Sequence, residues 1–141
     1  MKTYVITVSE KFPSNHPRKG EQTNFVDQIF MGKKIHTIRG NYELWAKRIA
    51  QVEAGEAMLS LRTWEGRPYF SKQIEFLRLW KVHGVGIEKV QFSGAIFTSI
   101  AATDFVAQND GLSFEDFRAW FKGYDLSKPM AIIHFKNFRY G

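Results

Sequence analysis

The segment Gly32-Lys33-Lys34-Ile35-His36-Thr37-Ile38-Arg39 decides how this chain is read. Before it, Phe25, Val26, Ile29 and Phe30 recur at helical spacing, which predicts a short amphipathic helix ending at Gly32. Lys34 to Arg39 is short and partly β-branched, so a strand or extended turn follows directly. In an extended segment side chains alternate faces, which sends Thr37 and Arg39 one way and His36 the other. Lys34, three residues before Thr37, falls on the opposite face of a regular strand. A turn between Gly32 and Ile35 brings its ammonium round, and glycine gives the backbone that freedom. An ammonium, a hydroxyl and a guanidinium then converge on an anionic or carbonyl-bearing ligand. A plainer reading makes Lys33, Lys34 and Arg39 solvated charges at a helix–strand junction, and Thr37 an ordinary strand residue.

Outward from this segment, Thr3 to Val8 alternates as a strand does, and Phe12 to Gly20 reads as a basic loop carrying Arg18 and Lys19. Asn41 can cap a helix whose Trp45, Ile49 and Val52 share one face, ending near Gly55. Ala57 to Trp64 and Tyr69 to Lys81 flank Glu65-Gly66-Arg67-Pro68 and predict a hairpin. Val85 to Ile100 supplies another strand or two, interrupted near Gly94. Thr103 can cap a helix over Asp104 to Asn109 that Gly111 stops, and Ser113 with Asp116 has the pattern of a capping box. Phe114, Phe117, Trp120 and Phe121 form a stripe expected in the core. Ala131 to Phe138 is read as a closing strand. Without repeats, low-complexity tracts or a linker, residues 1–141 are read as one domain, α+β in class.

Composition narrows the chemistry. The chain has no cysteine, which excludes disulfides, thiolate catalysis and zinc–thiolate sites. The first residues lack a continuous apolar run and nothing approaches the ~18 residues of a membrane span, so a cytoplasmic protein without a membrane partner is expected. Net charge is +6, and it is lopsided: residues 1–50 carry nine basic and four acidic side chains. Such a surface draws an anionic partner, or is simply a solvated basic face. The four histidines, His16, His36, His83 and His134, show no metal-ligand spacing, so no metal or cofactor is expected. His36, inside the motif, is a candidate to act on a substrate or else a core or surface residue on the face opposite Thr37, and His134, between Ile133 and Phe135, is read as a satisfied barrel residue. Gly84-Val85-Gly86 is too short a match for a dinucleotide loop.

Gly32, Lys34, Thr37 and Arg39 match G-x-K-x-x-T-x-R, and through this signature the chain resembles ASCH domains, small barrels related to the PUA class. A preceding helix, the block Asp110-Gly111-Leu112-Ser113 and the apolar strand Ala131-Ile132-Ile133-His134-Phe135 extend the likeness over most of the chain in outline. The resemblance implies a PUA-like small mixed β-barrel decorated by short helices.

It also implies two functional readings. One is an RNA- or nucleotide-binding domain in which Gly32, Lys33, Lys34 and Arg39 form the ligand cleft, and Arg18, Lys19, Lys47 and Arg48 add unspecific attraction. Trp64 and Tyr69 are the candidate base-stacking rings, unless they are only a cross-strand pair. The alternative is an amidohydrolase, since some small ASCH proteins cleave the N4-acetyl group from N4-acetylcytidine with a Lys, a Thr and a carboxylate. By position these are Lys34, Thr37 and Asp110. The family's carboxylate in that block is Glu, whereas this chain has Asp, with Glu115 and Asp116 close by. Thr37 would attack the acyl carbon and Lys34 would take its proton, which requires a lysine pKa well below ~10.4. Lys33 and Arg39 are candidate cationic neighbours for that shift.

Overall fold

A computed structural model describes residues 1–93, 96–97 and 103–141, with only the backbone described at 93, 96 and 97. Among the described residues the elements run β1 (Lys2–Thr7), α1 (Phe25–Phe30), β2 (His36–Arg39), α2 (Tyr42–Glu53), β3 (Ala57–Trp64), β4 (Gln73–Leu79), β5 (Gly86–Val90), β6 (Phe92–Ser93), β7 (Ile96–Phe97), α3 (Thr103–Asn109), α4 (Phe114–Phe121) and β8 (Met130–His134). Most lie where the hydrophobic periodicity predicts them. The hairpin opens later than expected, with β4 starting at Gln73, and β8 stops at His134 rather than Phe138. The expected interruption near Gly94 lies outside the described residues.

The strands form two three-stranded sheets and one short pair. In the first sheet β3 is central, parallel to β1 and antiparallel to β4, with a bulge at Leu61/Arg62. In the second, β8 is central between antiparallel β2 and β5. Among the described residues the fold is mixed α+β with four helices, and the two main sheets do not close into a barrel. Period-2 patterning specifies strands and their buried faces but does not say whether a sheet closes on itself.

Central β8 is buried along its whole length, as its unbroken run Met130-Ala131-Ile132-Ile133-His134 requires. Helix α2 packs on β3, β5 and β8 and so joins the two main sheets. Its Trp45, Ile49 and Val52 are the buried stripe, and burial of an aliphatic side chain such as Ile49 or Val52 stabilises the fold by roughly 1.5–3 kcal/mol. Asn41 begins the helix, its side chain accepting from the Leu44 amide. The face of the second sheet at β2, the end of β1 and the helices α1, α3 and α4 meet at one place, and the site lies there.

Candidate functional site

Three backbone connections bring Lys34 into position. Gly32 adopts φ +75°, the left-handed conformation that ends α1, and Lys33 and Lys34 then both donate to the Gln28 carbonyl. The Ile35 amide donates to Asn109 at the end of α3, while the Ile35 carbonyl accepts from Phe135 beyond β8. Residues 33–35 are therefore not a strand. They follow the turn at Gly32, one of the two readings the spacing of Lys34 and Thr37 allows, and β2 starts only at His36.

Asp110 comes from the turn between α3 and α4, just past the helix that the sequence predicts over Asp104 to Asn109. Its amide donates to the carbonyls of Val106 and Ala107, and Gly111 follows at φ +81°. Gln28 of α1 clamps this turn by donating to the carbonyls of Gly111 and Thr23. At the far end Ser113 caps α4 by accepting from the Asp116 amide, as expected.

The Lys34 ammonium donates to the Asp110 carbonyl at 2.8 Å and to its carboxylate Oδ1 at 2.9 Å, and it sits 4.2 Å from the centre of the Phe25 ring. Both partners are almost wholly buried, Lys34 at 3% exposure and Asp110 at 4%. Burial pulls the Lys34 pKa below its ordinary value; Asp110 opposes this and Arg39 adds to it. Burial also works against ionisation of Asp110, but the Lys34 charge and the His36 hydrogen bond together hold its carboxyl below the usual range. Arg39 donates to the Thr7 carbonyl at 2.5 Å and to Ile38, which ties the guanidinium to the end of β1.

Lys34, Thr37, Arg39 and Asp110 line a single cleft together with Val8, Ser9, Phe25, Ile38, Leu112, Trp120 and Phe121. Its enclosed volume is about 30 Å³, far below the ~300–1,000 Å³ of preformed small-molecule sites, so a ligand enters only if the side chains at its mouth move aside. Thr37 is 4% exposed, and its hydroxyl makes no hydrogen bond among the described residues but is not sealed from solvent. Trp120 forms an aromatic wall with Phe25 at 5.6 Å and Phe12 at 5.7 Å between ring centres. The stripe expected in the core is thus divided: Phe117 and Phe121 are buried, while Phe114 and Trp120 are only partly so.

The remaining expected site residues lie elsewhere. Gly32 shapes the turn but does not line the cleft, and Lys33 is exposed beside Asn24, Asp27 and Met31 in a separate shallow depression. Trp64 at the end of β3 and Tyr69 in the loop before β4 have ring centres 5.1 Å apart and do not line the cleft; they are not a cross-strand pair, since Trp64 faces Gln73 across the strands. Glu115 is exposed, and Asp116 bonds Arg18 at 2.5 Å, so Asp110 is the carboxylate of the cleft. Arg48 lies over Tyr4 and Trp45.

His36 is what the sequence reading missed. It is fully buried, with Nδ1 3.2 Å from Asp110 Oδ1 and Nε2 2.6 Å from the Tyr140 hydroxyl. A histidine on the inner face of a strand must have a polar partner, but the sequence could not identify it, because Asp110 lies 74 residues further on. Among the described residues no three His, Cys, Asp or Glu side chains gather as metal ligands, and no helix is long and apolar enough to cross a membrane.

No family model, curated protein or solved structure matches this chain.

Proposed function

We propose that the cleft binds a single nucleobase-bearing ligand, a nucleoside, a nucleotide or one base of an RNA, in the manner of an ASCH domain of the PUA-like class. The observation that carries this reading is the convergence of Lys34, Thr37, Arg39 and Asp110 on one cleft walled by Trp120 and Phe25. A carboxylate accepts from an exocyclic amine, cationic groups meet ring carbonyls or phosphate, and flat aromatic walls suit a base. Of the basic residues expected to add unspecific attraction, Arg18 is engaged by Asp116 and Glu21. That leaves less free charge for a phosphate track.

The unpartnered Thr37 hydroxyl favours a second reading, hydrolysis of an N4-acylated cytidine. Thr37 Oγ1 attacks the acyl carbon, its proton passes to a neutral Lys34, and the C–N bond breaks as the leaving amine is protonated. Water then releases the acid from the acyl-threonine. Burial of Lys34 helps supply the neutral amine, while the bond to Asp110 opposes it.

Calorimetric titration with cytidine, uridine, N4-acetylcytidine, the corresponding monophosphates and a short RNA at low salt tests the first reading. Binding that is lost in Asp110→Asn and Arg39→Gln is expected, and absence of binding to all of them ends it. Chromatographic detection of cytidine from N4-acetylcytidine tests the second, which fails if the wild-type protein releases none.

A further inference from the structure

Behind the cleft a polar chain leads away from Asp110 toward residues 138–141. We infer that His36 and Tyr140 are positioning residues for Asp110, a hydrogen-bonded relay that fixes the carboxylate through Oδ1 and leaves Oδ2 for the ligand. The inference rests on the reading of the cleft as a nucleobase site.

The direction of each hydrogen bond follows from what each group can do. The Asn109 side-chain amide nitrogen donates to the Tyr140 oxygen at 3.0 Å. The Tyr140 hydroxyl has one proton, and the acceptor within reach is His36 Nε2 at 2.6 Å. Nε2 therefore presents its lone pair, and the ring proton sits on Nδ1, where it is donated to Asp110 Oδ1 at 3.2 Å. The reverse tautomer would turn an Nδ1 lone pair toward a carboxylate and leave the Tyr140 proton without an acceptor among the described residues. Oδ1 thus receives from both Lys34 and His36. Oδ2 receives no hydrogen bond among the described residues, although Asp110 lines the cleft.

Tyr140 is itself firmly held. Its amide and that of Gly141 donate to the two oxygens of Glu88 at 2.8 and 3.2 Å, and Arg139 donates to the Gly84 carbonyl at 3.0 Å. Phe138 and Phe105 pack edge-on to the Tyr140 ring. The groups facing His36 are therefore Asp110, Tyr140 and the His134 ring at 5.5 Å. None of residues 138–141 lines the cleft, and the Tyr140 hydroxyl meets His36 and Asn109 behind it.

The test uses the full chain, with two readouts that need no ligand. Nitrogen-15 NMR of the histidine rings is expected to find the His36 proton on Nδ1, and Tyr140→Phe is expected to move the Nε2 signal. Carbon-13 titration is expected to place the Asp110 carboxyl higher in His36→Leu than in wild type, with His36→Asn, which keeps an N–H near the Nδ1 position, restoring it. With the best ligand found, Tyr140→Phe should weaken binding by roughly tenfold, the scale of one hydrogen bond at a charged group, with little change in thermal unfolding. A wild-type His36 protonated on Nε2 overturns the relay. So does a Tyr140→Phe protein with unchanged Nε2 signal and affinity when Arg39→Gln lowers that affinity. If no nucleobase ligand binds wild type, the functional reading falls, and the two NMR readouts still decide the relay.

Discussion

The Lys34 ammonium holds two oxygens of the same residue, the carbonyl and the carboxylate Oδ1 of Asp110, across 76 positions of sequence. This pins the turn after α1 to the turn after α3 with a buried charge pair. Removing one partner strands the other charge in the interior. Lys34→Met is expected to lower stability by about 3–5 kcal/mol in urea unfolding. Lys34→Met with Asp110→Asn keeps an acceptor for His36 without a bare charge, and should recover most of the loss. A double variant as unstable as the single one would contradict this account.

Thr37 separates stability from chemistry. Its hydroxyl has no hydrogen-bond partner among the described residues, so Thr37→Val keeps the shape and should change stability by less than about 1 kcal/mol. If the cleft hydrolyses N4-acetylcytidine, the same variant should lose at least about a hundredfold in kcat/KM. Chemical denaturation and cytidine release, measured on one preparation, check both halves.

His134 should make the fold acid-sensitive. Its Nε2 is 2.7 Å from Glu88 while its buried Nδ1 has no partner, as a neutral ring donating through Nε2 would show. Burial, with His36 adding to it, brings its pKa from 6.5 down to about 4. The unfolded ring takes a proton as pH falls through about 6.5, where the folded ring does not. The contribution is thus complete above that pH and is lost on the way down to about 4, on the order of 2–3 kcal/mol in all. Urea midpoints from pH 7.5 to 4.5 should fall more steeply for wild type than for His134→Gln, which keeps a donor for Glu88.

Two glycines with similar backbones should respond differently to alanine. Gly55 and Gly84 have φ of +78° and +85°, but a Cβ meets nothing within 4 Å at Gly55 and lies 2.5 Å from the Asn137 backbone nitrogen at Gly84. Gly55→Ala should cost about 1 kcal/mol, the left-handed penalty alone. Gly84→Ala should cost about 3 kcal/mol or more, because backbone must move as well. Equal urea midpoints for the two variants would refute the close approach of residues 84 and 137.

The sequence alone determined the local elements and one side of the site. Helical spacing located α1 and α2, strand alternation put Thr37 and Arg39 on one face, and Gly32 offered the turn that could bring Lys34 round. These are effects within a few residues, governed by backbone sterics and side-chain periodicity, and they can be read locally. Tertiary structure decided the rest. It selected Asp110 over Glu115 and Asp116, divided the aromatic stripe so that Trp120 became a cleft wall, brought Trp64 against Tyr69 of the following loop, and among the described residues left each main sheet with two edges. It also joined His36 to Asp110 and Tyr140. Each of those outcomes depends on packing between segments tens of residues apart, where a buried polar group takes whichever partner the assembled core brings within about 3 Å.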